Sequence, residues 1–298
     1  MPDITNPSDP SPSAAGAAPA KEKEPQPQPP KPQWTAAQRY GSLVVIAILM
    51  AAIYYVEAAA GFAPARSWGL TLLLLVIFCL YLGLALSRRP LGILVGSRNL
   101  MSLSRFQLVA WSIVILSAFI TIAFRRILDP TVAAPLDMPM DPHLWALLGI
   151  STASLVGTPL ILQNKTAKDP DPGVVQKSAA ALGETVASVD SNRQGTLYAN
   201  TSVWDARLTD MFEGDEVGNT AYVDIAKMQM FLFTMIIIVA FCFQVYHLLN
   251  AFASKAISAG DLKMPVLSDG VVALLGISHA GYLGSKTADH TPVTPAKN

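Results

Sequence analysis

The chain has 298 residues, 52% of them apolar and only 14% charged, with 21 basic and 21 acidic side chains. A soluble domain of this length carries about 25% charge, so the composition places the chain among membrane proteins. The formal net charge of zero excludes a global field that would select nucleic acid or an acidic substrate, so only the distribution of charge is informative.

Residues 1–36 read as a Pro-rich tail, with ten of the 22 prolines in the first 33 positions. They hold no apolar core of the kind a secretion signal needs, and disorder with polyproline-II character is expected around Pro25 to Pro32. Next comes an expected transmembrane hairpin, residues 37–90, with spans at 41–62 and 69–87. About 20 apolar residues cross the hydrocarbon layer, and the windows 106–124, 143–163 and 228–249 also qualify. A sixth window, 267–286, is interrupted by Asp269 and His279. Cys79 and Cys242 fall inside apolar runs and read as packing residues, not as a disulfide or metal pair.

An internal repeat supports the sixth span. Ala146-Leu-Leu-Gly-Ile-Ser151 returns as Ala273-Leu-Leu-Gly-Ile-Ser278. Upstream, Ser102-x-x-Arg105-x-Gln107 matches Asp224-x-x-Lys227-x-Gln229. The lag is 122 residues from Arg105 to Lys227 and 127 from Ala146 to Ala273. The reading is an all-α integral membrane protein of about six spans, the last four forming a parallel 2+2 internal repeat. Repeat A covers 91–163 and repeat B covers 224–288, separated by a loop at 164–223 and followed by a tail at 289–298.

Positive charge then sets the orientation. With six spans and the N-terminus inside, sixteen Lys and Arg fall in inside segments and five (Arg66, Arg125, Arg126, Lys255, Lys263) outside. Both termini and the 164–223 loop are therefore expected in the cytoplasm.

Small residues four apart, Gly149, Ala153, Gly157 and Gly276, Ala280, Gly284, are expected to let the two helices pack closely. His279 is a candidate intramembrane polar site, with Thr152 at the equivalent position of the first repeat. Arg105, Gln107, Lys227 and Gln229 read as membrane-boundary anchors, with Ser102 and Asp224 as helix caps. The arginines of 88–105, set among apolar residues, suit anionic lipid at the inner face and equally an ordinary positive-inside signal.

The first half of the 164–223 loop, rich in Pro, Ala and Lys, is expected to be mobile. In the second half Trp204, Leu208, Met211 and Phe212 follow helical spacing behind a Ser202 cap. Trp204, Asp210, Glu213, Asp215 and Glu216 are candidate partner or loop contacts, and pairing of the acidic run with Arg98 is favoured over a calcium loop. No catalytic, metal or cofactor-binding residue stands out, because nucleophile elbows, phosphate loops, zinc-ligand spacings and channel filters are absent from the sequence.

Met101 to Gln107, Phe212 to Asn219 and Leu274 to Leu283 carry a resemblance to an uncharacterised family of bacterial multi-pass integral membrane proteins with the duplicated LLGIS repeat. The resemblance implies a bacterial inner-membrane address and no activity. The expectation is a non-enzymatic scaffold or adaptor without a cofactor, embedded in the bilayer and presenting its cytoplasmic segments to a protein partner. A homo-oligomeric ion channel or small-solute transporter is the alternative, and no nucleic-acid partner is expected.

Overall fold

The computed structural model describes residues 36–294, with side chains from Tyr40. The Pro-rich tail lies outside the described residues. The chain divides after Val44, and only the helical residues from Ala36 onward are described in the first unit. Among the described residues the protein is all-helical with no strand. The helices are α1 (Ala36–Tyr54), α2 (Pro64–Ser87), α3 (Leu103–Ile127), α4 (Pro142–Gln163), α5 (Pro172–Leu182), α6 (Val186–Asn192), α7 (Ile225–Ala253) and α8 (Asp269–Thr287).

Five stretches are long and apolar enough to cross a membrane: Tyr40–Ala59, Pro64–Ser87, Leu103–Ile127, Pro142–Gln163 and Ile225–Ala253. Their outward faces carry large apolar side chains such as Leu73, Ile77, Leu116, Leu160, Ile236 and Phe243. A soluble surface rarely gathers so much contiguous apolar area, whereas lipid covers it at no cost. Of the six expected spans, α8 alone falls short of that measure of length and composition. In α8, Asp269, Ser278, His279 and Lys286 dilute the apolar run.

Local signals set the helix ends. Asp141 accepts from the His143 amide ahead of α4, with Pro142 at the first helical position. Asp224 accepts from the amides of Ala226 and Lys227 at the start of α7, and Ser268 caps α8. The last residues of the first span, Tyr55–Ala59, loosen into a π-turn that holds Glu57 inward.

Helix pairs run parallel. His143, Ser154 and Thr158 of α4 meet Asp269, His279 and Tyr282 of α8 in order. Gln107 meets Thr234, and Trp111 stacks edge-on against Phe241, along α3 and α7. The starts of α3 and α7 thus share one end of the bundle with the finishes of α4 and α8. The central core joins Trp68, Trp111, Ile115, Ile122, Leu144, Leu147, Phe241, Leu249 and Leu275. Cys79 and Cys242 are both free and half-buried, Cys242 against this core.

Residues 164–224 fold as a cap over that shared end. The first half, expected to be mobile, carries two helices, α5 and α6. Asp171 caps α5 ahead of Pro172, left-handed Gly183 closes it, and Thr185 caps α6. Val175, Ala179, Val189, Tyr198 and Val217 give the cap its own apolar cluster. The single helix expected near Trp204 is replaced by two short 3-10 turns, Val203–Asp205 and Leu208–Phe212. Asp210 causes the break, because its carboxylate accepts from the amides of both Arg207 and Met101 and pins the chain to the bundle.

Candidate site at the cap end of the bundle

Asp215 sits where four segments converge. Arg98, from the loop between α2 and α3, reaches it with Nη2 to Oδ1 at 2.5 Å. Lys227 in the first turn of α7 lies 3.2 Å from its other oxygen, and Lys286 near the end of α8 bonds that same oxygen. Burial alone would raise the Asp215 carboxyl, but Lys227, Lys286 and Arg98 overcome it and hold the group well below the usual carboxylate range. Arg98 also donates to the carbonyls of Tyr198 and Asp215, so one guanidinium binds both the backbone and the side chain of the cap.

A second ion pair lies alongside. Lys165 and Glu216 meet at 2.5 Å, both almost fully buried, and the Glu216 carboxylate also accepts from the His290 amide. The C-terminal residues are laced to the cap by the Gly218 amide on Thr291 Oγ1, the Asp171 amide on the Pro292 carbonyl and the Thr294 amide on the Asp169 carbonyl. Gly218 is required here, since a Cβ at that position would stand 2.5 Å from the His290 carbonyl oxygen.

Beside this ionic centre opens a pocket of about 560 Å³. The first turn of α3, the cap-end turns of α4 and α8, Lys227 and the Asp215 cluster line it. Asp210, at its edge, is pushed upward by burial against the pull of the Arg207 and Met101 amides. Tyr198 is likewise raised by burial and by the Glu184 carboxylate to which its hydroxyl donates at 2.5 Å.

The structure redistributes the residues singled out from sequence. Asp215 and Arg98 do meet, whereas Glu216 turns to Lys165 and Asp210 to backbone amides. Glu213 is half-buried and offers its carbonyl to Lys227. Trp204 stays exposed beneath the Arg89 guanidinium, 5.7 Å from the ring centre. Of the four boundary anchors, Arg105 and Gln229 are exposed, but Gln107 and Lys227 are buried, Gln107 against α7 and Lys227 against Asp215 and the Glu213 carbonyl of the cap. Gln107 donates to Thr234 Oγ1 at 2.6 Å.

In the small-residue stripes, a Cβ at Gly157 would touch Leu283 at 3.7 Å, and one at Gly276 would touch Ile150 at 3.9 Å. Gly149, Ala153, Ala280 and Gly284 are exposed, so α4 and α8 pack through the adjacent Leu, Ser and Tyr faces and not along the stripes. His279 is buried, with Nδ1 2.5 Å from Ser154 Oγ, while Thr152 faces outward and does not meet it.

Two polar centres escaped the sequence reading. Glu57 is buried among α2 and α3, accepting from Thr71 at 2.6 Å and Thr121 at 2.5 Å, with Arg125 at 3.5 Å. Arg126, at the opposite end from the cap, spends all five guanidinium donors on the carbonyls of Ala134, Pro135, Asp137, Gly260 and Leu262. An ionisable residue next to or within an apolar span was the available signal for both. Among the described residues, no group of three or more His, Cys, Asp or Glu side chains is placed to hold a metal. No family model, no curated protein and no solved structure matches this chain.

Proposed function

We propose that the chain is a non-enzymatic scaffold of a bacterial cytoplasmic membrane. In this reading it crosses six times, α8 included, keeps both termini inside, and descends from a duplicated helical hairpin shared with the multi-pass family it resembles. The observation that carries the scaffold reading is the fastening of a folded cap to the bundle through Asp215 and three cations from separate segments. A transport path is served by moving parts, whereas a presenting surface is served by a rigid one. The sixteen-to-five bias of basic residues supports the orientation, and the parallel pairing of α3 with α7 and α4 with α8 is the arrangement a parallel duplication would produce.

The test is purification of the full chain in mild detergent, split between reconstitution and partner capture. Liposomes should show no solute flux or conductance above protein-free controls. A partner should co-purify in proportion to an intact cap and be lost with Trp204→Ala, whose ring is exposed on it. Sustained flux would overturn the scaffold reading.

One observation favours a second reading, that of a small transporter or channel. Glu57 is a buried carboxylate in the membrane region whose Oε2 accepts no hydrogen bond, at a π-turn of the kind that often marks functional positions. Flux that Glu57→Gln abolishes would establish it.

A further inference from the structure

We infer that the pocket beside Asp215 is a binding site for the phosphate-bearing headgroup of an acidic membrane lipid, with the acyl chains lying along α4. Positive charge outnumbers negative charge at this pocket. Three cations surround the single carboxylate of Asp215, and Arg105 adds a fourth positive charge to the pocket wall. Beyond Asp215 the wall holds one carboxylate, Asp210, so four cations face two carboxylates there, and Glu213 and Asp224 lie nearby outside the wall. Asp210 accepts from the amides of Met101 and Arg207, and Asp224 from those of Ala226 and Lys227.

The cations retain donors for a ligand. An ammonium has three N–H groups. Lys286 donates to Asp215 and rests its charge over the Tyr282 ring at 4.5 Å, leaving donors free. Arg105 is exposed, and its bond to the Ile93 carbonyl is a long 3.5 Å.

A separate feature points the same way. The 25-residue helix α3 starts at this pocket, and its N-cap Ser102 makes no side-chain capping bond. Its first-turn amides and positive dipole end therefore face the same space as the lysines, and a phosphate would satisfy both.

The rest of the wall decides between a lipid and a soluble anion. On one side the pocket is bounded by Leu155, Pro159 and Leu160 of α4, and Leu160 is largely exposed on the outward apolar face of that helix. A polar, cationic floor opening onto an apolar outer wall is amphipathic in the sense a lipid is, with the headgroup inside and the chains outside. A free phosphate would leave that wall unused. The inference stands apart from the scaffold reading, since it requires only that this face of α4 meet lipid.

The experiment uses the full chain, delipidated in detergent and then placed in nanodiscs of phosphatidylcholine alone or mixed with phosphatidylglycerol. Retained lipid is read by native mass spectrometry after re-extraction, and inorganic phosphate is titrated against the delipidated protein in parallel. Phosphatidylglycerol should be retained about tenfold over phosphatidylcholine, a difference of about 1.4 kcal/mol. Ser102→Asp should abolish the preference while leaving the melting temperature unchanged or raised, because Asp caps as well as Ser and its charge suits the helix dipole, yet it repels the anion. Arg105→Gln should reduce the preference about threefold without touching the Asp215 cluster, and it serves even where the first variant fails to fold. Equal retention of the two lipids, or a preference that neither variant alters, would overturn the proposal. Binding of inorganic phosphate with no lipid preference would overturn it too, in favour of a soluble anion.

Discussion

Arg126 and Asp215 are both charges taken out of water, at opposite ends of the bundle, and their surroundings differ in kind. Arg126 is enclosed by backbone carbonyls from two loops, with every donor used. Asp215 is shared by three cations that arrive from the α2–α3 loop, α7 and α8. A carbonyl cage solvates a charge as water would and then closes. A charge-surplus cluster binds segments together and still has capacity for an anion. The far end is therefore a clasp, while the cap end is both a clasp and a site.

The comparison breaks first at Asp215. Asp215→Asn leaves three cations against a neutral amide, and losing one partner of a buried ion cluster costs about 3–5 kcal/mol. The cap should loosen, read as a lower melting temperature and new trypsin cleavage within 164–224; an unchanged digest would mean the apolar cluster holds the cap alone. The same group predicts a pH response. Its folded pKa is depressed, so its stabilisation is complete above the unfolded value near 3.9 and disappears as pH falls through the lower folded value. Unfolding followed from pH 6 downward should lose this contribution progressively once pH passes below the unfolded value near 3.9 and until it reaches the lower folded value, and the Asn variant should lack that part of the loss.

At the other end, Arg126→Lys keeps the charge but cannot reach five carbonyls. Hydrogen bonds to charged groups are worth about 1.5–3 kcal/mol, and a loss near the middle of that range is expected in thermal unfolding. A loss as large as that of Asp215→Asn would erase the distinction between cage and cluster. Gly218→Ala should cost about 1 kcal/mol, because the new methyl pushes the tail off the cap. Faster hydrogen exchange confined to 289–294 is the check. Glu57→Gln should have the smallest effect on stability, under about 1 kcal/mol, since an amide oxygen still accepts from Thr71 and Thr121. A larger loss would show that the Arg125 charge contributes more than its 3.5 Å separation suggests.

The spans were legible because lipid imposes a one-dimensional rule on sequence: long apolar runs bounded by charge. Where that rule weakened, so did the reading. α8 looked plausible only beside its similar partner stretch, since its polar residues serve α4 and the cap: Ser278 and His279 turn inward, and Lys286 reaches Asp215. Composition misled in the cap, where a Pro- and Ala-rich stretch suggested mobility. The Asp171-Pro172 start and Gly183 stop of α5 were visible in the sequence and outweigh composition. The partners of Gln107 and Lys227 were hidden for a different reason. Their positions at helix ends suggested the bilayer boundary, yet Thr234 and the Asp215 cluster draw them inward, and such partners are set by tertiary structure alone.

The parallel pairing of the four core helices has a consequence for how the protein is made. The α3–α4 and α7–α8 hairpins each begin and finish at the cap end, so under the proposed six-span orientation the connections 128–141 and 254–268 are all that either hairpin carries through the bilayer during biosynthesis. In the proposed orientation each hairpin enters as a unit behind a short leading loop, while the whole cap folds on the side where it is synthesised. Arg126 travels with the first loop and obtains three of its five carbonyls there. The rest arrives with Gly260 and Leu262, so the second hairpin's arrival completes the shell around a charge the first delivered.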